Sequence, residues 1–542
     1  MAALFSDLKG LHPATLRALT EGFGYTRMSE SQAAYLPSAL EGGGKGDVSL
    51  TKDLIVRAST GSGKTLGFLI PTLQALAGAG AGTRSVSSGS RPIRALVLSP
   101  SRELAMQTQH EAEKLAAFHR PAIAVQIVMG GSKMGGDAKR LMGQPCDLLV
   151  ATPGRLQAHI DETPGFAERL RGLRVLVLDE ADRLLDMGFE PAIRRIAAAL
   201  PPPERRQTLL FTATVPPGVE KVAAAFTRRG RTEFVDTAGR RGSKNGNPAA
   251  VNPRIRQEAV VLPVGSLVPA LHRVLSHHRD TNGAHKIIVF VTNAVTVQLM
   301  AALFRASGFP NALEIHSRLD QRKRDAADRA FRERSGVVMF ASDVAARGVD
   351  FPDVTHVVQL GIADSAENVV HRVGRTGRGG KSGDALMLLC DDERSVLDEL
   401  LAPPLSMPIA LSDRAASQIS AGVGSGDAVA PLPALAATFA AIADPADRGE
   451  GATLRALACK AFVASLGFYN THAKRRLKWS KQDLVRNVAA RFAAIGVPGW
   501  CPVEPKTLKK MKLELSLFPT AGRSRRSKTA AVRRHSDAAN RK

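Results

Sequence analysis

Apolar residues along this chain gather in short, almost unbroken runs. Between Leu54 and Phe211 they read "LIV" from Leu54, "IRALVLS" from Ile93, "VQIVM" from Val125, "DLLVA" from Asp147, "RVLVL" from Arg174 and "TLLF" from Thr208, with helical-looking segments between them. Runs of that length without alternation suit strands buried on both faces, and their separation by helices predicts an open, mostly parallel α/β sheet covered on both sides. A second series, "KIIVFV" from Lys286, "GVVMFA" from Gly336, "VTHVVQL" from Val354 and "ALMLLC" from Ala385, predicts a second α/β domain. Between them "DTAGRRGSKNGNPAAVNP", Asp236 to Pro253, is rich in Gly, Asn, Pro and basic residues and reads as a linker.

The expected organisation is a first domain over 1–235, a linker over 236–254 and a second domain over 255–405. After about residue 405 the sequence turns Ala-rich and helical through 505, interrupted near "GVGSGDA". Within it Ser480 and Asp483 make a capping box, Leu484, Val488, Phe492 and Ile495 form one stripe, and Gly496 is the stop. Residues 506–542 predict a basic, disordered tail, and "AGAGAGTRSVSSGSRP" (77–92) a solvated loop.

Charge changes the picture more than composition does. The 542 residues carry 74 Lys plus Arg against 50 Asp plus Glu, a net charge of +24, and that excess points to a polyanionic partner. From Gly451 to the end there are 21 basic against 4 acidic residues, so 17 of the 24 excess charges lie there, with Tyr469, Trp479 and Trp500 interleaved. Charge with stacking groups suits RNA capture, while packing of a small helical appendage is an equal reading for the aromatics. Four well-separated cysteines without CxxC spacing predict a reduced compartment and no zinc site. No run reaches the roughly 18 uninterrupted apolar residues of a membrane span, and the N-terminus has no secretory pattern. An intracellular location with no membrane partner follows as the expectation.

The chemistry begins right after the first strand, at "ASTGSGKT", Ala58 to Thr65. Gly61 and Gly63 let backbone N–H groups turn around phosphate oxygens at a helix N-terminus, with Ser59, Thr60 and Ser62 completing the loop. Lys64 would reach the β and γ phosphates and Thr65 would offer its hydroxyl to Mg²⁺. The apolar run Val175 to Leu178 ends in Asp179 and Glu180, with Asp182 beyond. Open α/β sheets bind ligands at the carboxyl ends of their strands, so Asp179 is placed to hold Mg²⁺ and Glu180 to orient and deprotonate an attacking water.

"DEAD", Asp179 to Asp182, together with "ASTGSGKT" and "HRVGRTGR" (371–378), resembles the DEAD-box RNA helicases of superfamily 2, in the family's motif order over residues 20 to 390. The resemblance implies two tandem RecA-like domains, ATP as the nucleotide and RNA as the partner. "GYTRMSESQ", Gly24 to Gln32, resembles the Q motif, which implies that Tyr25 stacks on adenine and Gln32 reads its amino edge. "SPSRELA" from Ser99, the pair ending at Gly131, and "TPGR" from Thr152 resemble the first-domain RNA motifs, so Pro100, Arg102, Gly131, Thr152 and Arg155 are implied RNA contacts. "TAT", Thr212 to Thr214, is implied to couple hydrolysis to strand separation, with Asp182 and His371.

In the second domain "VFVTN", "QRKR" and "ASDVAARGVD" match further motifs. By resemblance Thr292, Arg324, Ser342 and Asp343 lie along RNA, Asp350 contacts the ribose or couples to the phosphates, and Arg375 and Arg378 are arginine fingers inserted on domain closure. The implied activity is an RNA-dependent ATPase that locally remodels duplexes, acting as a monomer with room for protein adaptors. A rival is an ATP-gated RNA clamp that scarcely hydrolyses, and a DNA helicase is disfavoured by the Q motif and the DEAD spelling. The basic extension also resembles, more loosely, a DEAD-box branch typified by fungal mitochondrial splicing and RNA-chaperone helicases.

Overall fold

The computed structural model describes residues 3–41, 51–58, 61–77, 91–186, 188–213, 217–237, 252, 254–343, 351–378, 381–403, 405–412, 419, 428–497 and 501–518. The linker, the 77–92 insert and residues 519–542 fall almost wholly outside them, whereas 506–518, expected to be disordered, are ordered: a helix spans Pro505–Met511, and Leu508 and Leu513 are buried.

The first sheet is built, in chain order, from β1 (Asp53–Arg57), β2 (Ala95–Leu98), β3 (Val125–Val128), β4 (Leu148–Ala151), β5 (Val175–Leu178), β6 (Gln207–Thr212) and β7 (Thr232–Asp236). Its spatial order is β3-β4-β2-β5-β6-β1-β7, with every pairing parallel. Strands β2, β4, β5 and β6 are buried at every residue, which is why their sequences carry no polar alternation. Two separate hydrophobic clusters cover the two faces of this sheet.

The second sheet comprises β8 (Ile255–Leu262), β9 (Lys286–Phe290), β10 (Leu313–Ile315), β11 (Val337–Ala341), β12 (His356–Leu360), β13 (Gly383–Cys390) and β14 (Ile409–Leu411), ordered β10-β11-β9-β12-β13-β8-β14 and again all parallel. Two tandem parallel α/β sheets are the fold class the apolar runs predicted. Strands β7, β8, β10 and β14 had no such signal. They are edge strands, short, or, like β8, alternately exposed.

The C-terminal helices Pro433–Ala443, Glu450–His472 and Lys481–Ala493 share one hydrophobic core with the second sheet, and Glu450–His472 packs along Ala294–Ala306. The capping box at Ser480 and Asp483 forms, and Leu484, Val488 and Phe492 are buried. By length and composition alone Glu450–Leu477 could cross a membrane, although Arg455 and Lys460 interrupt its apolar run. Its apolar face, Leu454, Phe462 and Leu466 among others, is spent in that shared core.

One expectation is corrected here, and one open alternative is decided. Cys459 and Cys501 form a disulfide with Cα atoms 5.1 Å apart, whereas four reduced thiols were expected; spacing alone could not reveal a pair 42 residues apart. Trp479 and Tyr469 are packing residues: their rings stack 5.4 Å apart, both are buried, and the Trp479 indole donates to the Asp392 carbonyl.

Candidate nucleotide and RNA site

The phosphate loop leaves β1 at Ala58, whose N–H donates to the Thr212 carbonyl at the end of β6, and runs into the helix Lys64–Ala77. Gly63 has φ +84°, and a side chain there would put its Cβ 2.6 Å from the Gln32 amide nitrogen. That closeness has a purpose: Gln32 Nε2 donates to the Gly63 carbonyl at 2.9 Å and Ser29 Oγ donates to the Ser62 carbonyl at 2.7 Å. The Gln32 Oε1 also accepts the Ser29 N–H, closing a capping box. One N–H and one lone pair of the amide remain for a base. Tyr25 is half exposed and stacks on Phe23, so its ring face is open to a ligand.

Lys64 Nζ donates to the Ala58 carbonyl at 3.0 Å, curled over its own loop. Burial depresses the Lys64 ammonium, against the pull of Glu180, Asp179 and Asp182. At the tip of β5, Asp179 is pushed up by burial and by the neighbouring Glu180 charge. Burial would raise Glu180 as well, but the charges of Arg183 and Arg375 work against it and its carboxyl is held low, in the ionised form a base requires. Glu180 also adopts φ +48°, a left-handed conformation that only a specific local demand sustains in a residue with a side chain. Thr65 and Asp179 offer oxygen donors only, and Asp179 is a buried acid short of compensation, so the pair fits a hard divalent cation such as Mg²⁺.

The second domain reaches into this pocket. His371 Nε2 lies 3.5 Å from Asp182, and burial together with Arg183 lowers the imidazole to about 4, so it is neutral there. Arg375 is buried and donates to the His371 carbonyl, while the Arg378 side chain runs 3.0 Å from where a Cβ on Gly61 would stand. Thr212 is fully buried at the end of β6. Ser59, Thr60, Thr214 and Asp350 lie outside the described residues.

The first-domain RNA-motif residues converge at the carboxyl ends of β2, β3 and β4. Gly131, φ +96°, is bare because a Cβ there would stand 2.5 Å from the Arg102 guanidinium, and the Gly130 N–H donates to Thr152 Oγ1 at 3.3 Å. Arg155 donates to the Ser132 carbonyl at 2.7 Å and to Asp137 at 3.3 Å. Pro100 precedes Ser101, whose hydroxyl caps the helix Arg102–Ala116. Asp137 was not singled out from the sequence. It is buried and also accepts from Ser132 and Arg140, gathering the loop that carries Gly131 and Arg155.

In the second domain Thr292 lies two residues beyond β9, beside Asn293, which caps the helix Ala294–Ala306. Ser342 and Asp343 follow β11. Asp343 was expected along RNA, but both its oxygens accept from Arg372, at 2.6 and 2.8 Å, so its charge is spent within the domain. Arg324, also expected on RNA, meets Glu103 of the first domain at 2.5 Å. Both pairings join residues distant in sequence, so no spacing pattern announces them.

Known proteins match this arrangement. The chain matches the DEAD/DEAH box helicase family over residues 29–222 and the helicase conserved C-terminal domain over 267–380. It is 42% identical over 400 residues to DEAD-box ATP-dependent RNA helicase 31 of Oryza sativa subsp. japonica, covering 74% of this chain and 69% of that one. To DEAD-box ATP-dependent RNA helicase 26 of the same plant it is 37% identical over 505 residues, covering 92% and 83%. Among solved structures, Mss116p bound to ssRNA and AMP-PNP superposes with a TM-score of 0.73 at 23% identity, over 94% of this chain and 95% of that one. At that identity the likeness is one of fold, and it extends through the C-terminal helices.

Proposed function

Since the chain belongs to the DEAD-box family of ATP-dependent RNA helicases, we propose that it separates short RNA duplexes locally, by closing its two domains on ATP and one RNA strand. The observation that carries this reading is the meeting, in one buried cleft, of Lys64, Asp179 and Glu180 from the first domain with His371, Arg375 and Arg378 from the second. No single domain holds a complete hydrolytic site, so turnover requires closure.

In this reading Tyr25 stacks on adenine and the remaining hydrogen-bonding capacity of Gln32 reads its edge. Residues 58–65 cradle the phosphates, with Lys64 swinging from the Ala58 carbonyl to the β and γ oxygens. Thr65 and Asp179 would hold Mg²⁺, which supplies charge neutralisation at the transferring phosphoryl group. Glu180, kept ionised, takes the proton of the attacking water, while Arg375 and Arg378 meet the charge that develops on the γ-phosphate. His371 against Asp182 reports closure to the acid cluster.

RNA contacts by Arg102, Gly131, Thr152 and Arg155 on one domain and Thr292 and Ser342 on the other are to backbone, and so independent of base sequence. A strand held on both domains is bent, a shape a duplex resists, which favours local opening over translocation. The exposed Lys474, Arg475 and Lys478, on the turn after Glu450–His472, add electrostatic capture. Steady-state ATP hydrolysis with RNA or matched DNA, in the wild type and in Glu180→Gln, tests the reading. Stimulation by RNA that the substitution abolishes supports it. Negligible turnover with intact ATP-dependent RNA binding would replace it by an RNA clamp.

A further inference from the structure

The extension meets the second domain at one place that bears on hydrolysis. A turn over 361–364 follows β12, and Ser365 beyond it caps the helix Ala366–Val373, its hydroxyl accepting the Asn368 N–H. That helix carries His371 and leads to both arginine fingers. It is eight residues long, about 12 Å, and buried at every position but Glu367. At its far end Arg375 Nε donates to the His371 carbonyl at 3.1 Å and Arg378 Nε to the Gly374 carbonyl at 2.9 Å. Each finger is therefore braced on the backbone of this one element, and where the helix starts sets where the fingers stand.

Three side chains of the extension close on the turn before it. The Tyr469 hydroxyl donates to Glu393 at 2.6 Å and stands against Gly361, where a Cβ would lie 3.2 Å from it. His472 Nε2 lies 3.4 Å from Asp364. Arg476 Nη1 donates to the Ala363 carbonyl at 2.6 Å. Lys474, Arg475 and Arg476 are consecutive cations on the turn Ala473–Leu477; the first two face solvent, whereas the Arg476 side chain turns inward and is only 12% exposed. Its Nε donates to Glu399 at 2.9 Å, so the rigid guanidinium fork spans from the helix Arg394–Leu401 to the turn. Its Nη2 is buried without a hydrogen-bond partner. An apolar side chain would fill the space without leaving a buried donor unmet, so the position supplies bonds and not bulk.

We propose that Arg476 is a positioning residue for ATP hydrolysis: by fixing the Ala363 carbonyl against the helix Arg394–Leu401 it sets the start of the helix that bears the fingers, and makes turnover depend on a docked extension. The inference rests on the assignment of Arg375 and Arg378 as fingers. His472 on Asp364 is a second, more exposed hold on the same turn. The competing role for Arg476 is to anchor the extension and nothing more. Arg455 separates the two, since its Nε donates to the Ile442 carbonyl at 2.7 Å and so ties two helices of the extension to each other, away from the turn.

The test is RNA-stimulated ATP hydrolysis by the full chain as wild type, Arg476→Ala, Arg476→Lys, Arg455→Ala and Arg375→Ala. Misplacing a reacting group by about 1 Å can cost about 10² in rate, so Arg476→Ala lowers kcat by about 10- to 100-fold. The KM for ATP moves under about twofold, because the phosphate loop and Gln32 belong to the first domain. Arg476→Lys keeps one bond but not the fork and falls between. Arg455→Ala loosens the extension and leaves kcat within about twofold of the wild type. A kcat like the wild type's in Arg476→Ala, or an equal loss in Arg455→Ala, overturns the proposal and leaves Arg476 an anchor. If Arg375→Ala turns over like the wild type, the finger assignment itself falls and takes the proposal with it. If Arg476→Ala does not fold, Arg476→Lys decides. Faster hydrogen exchange over 361–373 together with a lower kcat supports positioning, and wild-type behaviour in either measurement refutes it.

Discussion

Replacing Arg324 by Ala removes half of an ion pair that exists only while the two domains are together. Arg324 Nη1 donates to Glu103 Oε1 at 2.5 Å, and the side chains are only 12% and 11% exposed. Burial raises the Glu103 carboxyl, and Arg324 and Arg102 work against that shift. With Arg324 gone, closure still removes water from Glu103 but returns no partner. Stripping one member from a buried pair costs about 3–5 kcal/mol. Partial protonation of the already raised carboxyl keeps the loss near the lower end, about 3 kcal/mol. At about 1.4 kcal/mol per tenfold, the ratio of closed to open molecules falls roughly 150-fold. Because the hydrolytic site is complete only on closure, kcat/KM for RNA in the ATPase assay falls by about two orders of magnitude. The KM for ATP changes little, since the residues around the phosphate loop are untouched. Adding Glu103→Gln takes away the stranded charge and recovers about tenfold of the loss. Fluorescence energy transfer between labels on the two domains reads the closed fraction directly. If Arg324→Ala with Glu103→Gln is no better than Arg324→Ala alone, Arg324 acts through RNA and the closure argument fails.

Other outcomes are equally specific. Glu180→Gln lowers RNA-stimulated turnover by about 10² to 10⁴ while ATP-dependent RNA binding persists, and a loss under tenfold would remove Glu180 as the base. His119, His278 and His371 are lowered to about 4, each by burial first, so the unfolded chain binds more protons than the folded one between about pH 4 and 6.5. Stability therefore rises with pH across that window and is lost on acidification through it; a Tm that does not move between pH 4.5 and 6.5 contradicts this. Thiol titration in denaturant without reductant finds two free thiols, Cys146 and Cys390, and four would refute the Cys459–Cys501 bond. Deleting residues 519–542, which hold 8 basic residues and 1 acidic, flattens the salt dependence of RNA binding and leaves the saturated ATPase rate unchanged. A deletion reaching back into 506–518 would also remove the buried Leu508 and Leu513 and so disturb the fold.

How far the sequence could be read depended on the range of each interaction. Strands buried on both faces are legible because every residue of β4 or β5 must be apolar. β14 leaves no such run, being three residues long and mostly exposed. The phosphate loop and the acids at the tip of β5 are legible because each works within a few consecutive residues. Glu103 with Arg324, 221 residues apart, and Asp343 with Arg372, 29 apart, leave no such trace, since their partners are chosen by the folded surfaces. The aromatics of the extension were open between stacking on RNA and packing, because a Trp beside basic residues suits both. Burial and the indole bond to Asp392 decide for packing in Trp479.

The docking of Glu450–His472 along Ala294–Ala306 has a consequence for where the tail begins. Met511 and Asn470 are joined by a 3.1 Å hydrogen bond, and the Leu508 and Leu513 side chains sit in the shared core, so the chain leaves the second domain at a fixed point. If the basic residues beyond Phe518 hold RNA, a strand they catch is tethered to the second domain, and rebinding becomes an intramolecular event. The gain would be one of effective concentration, set by the span from that point to the strand-holding surface of the second domain.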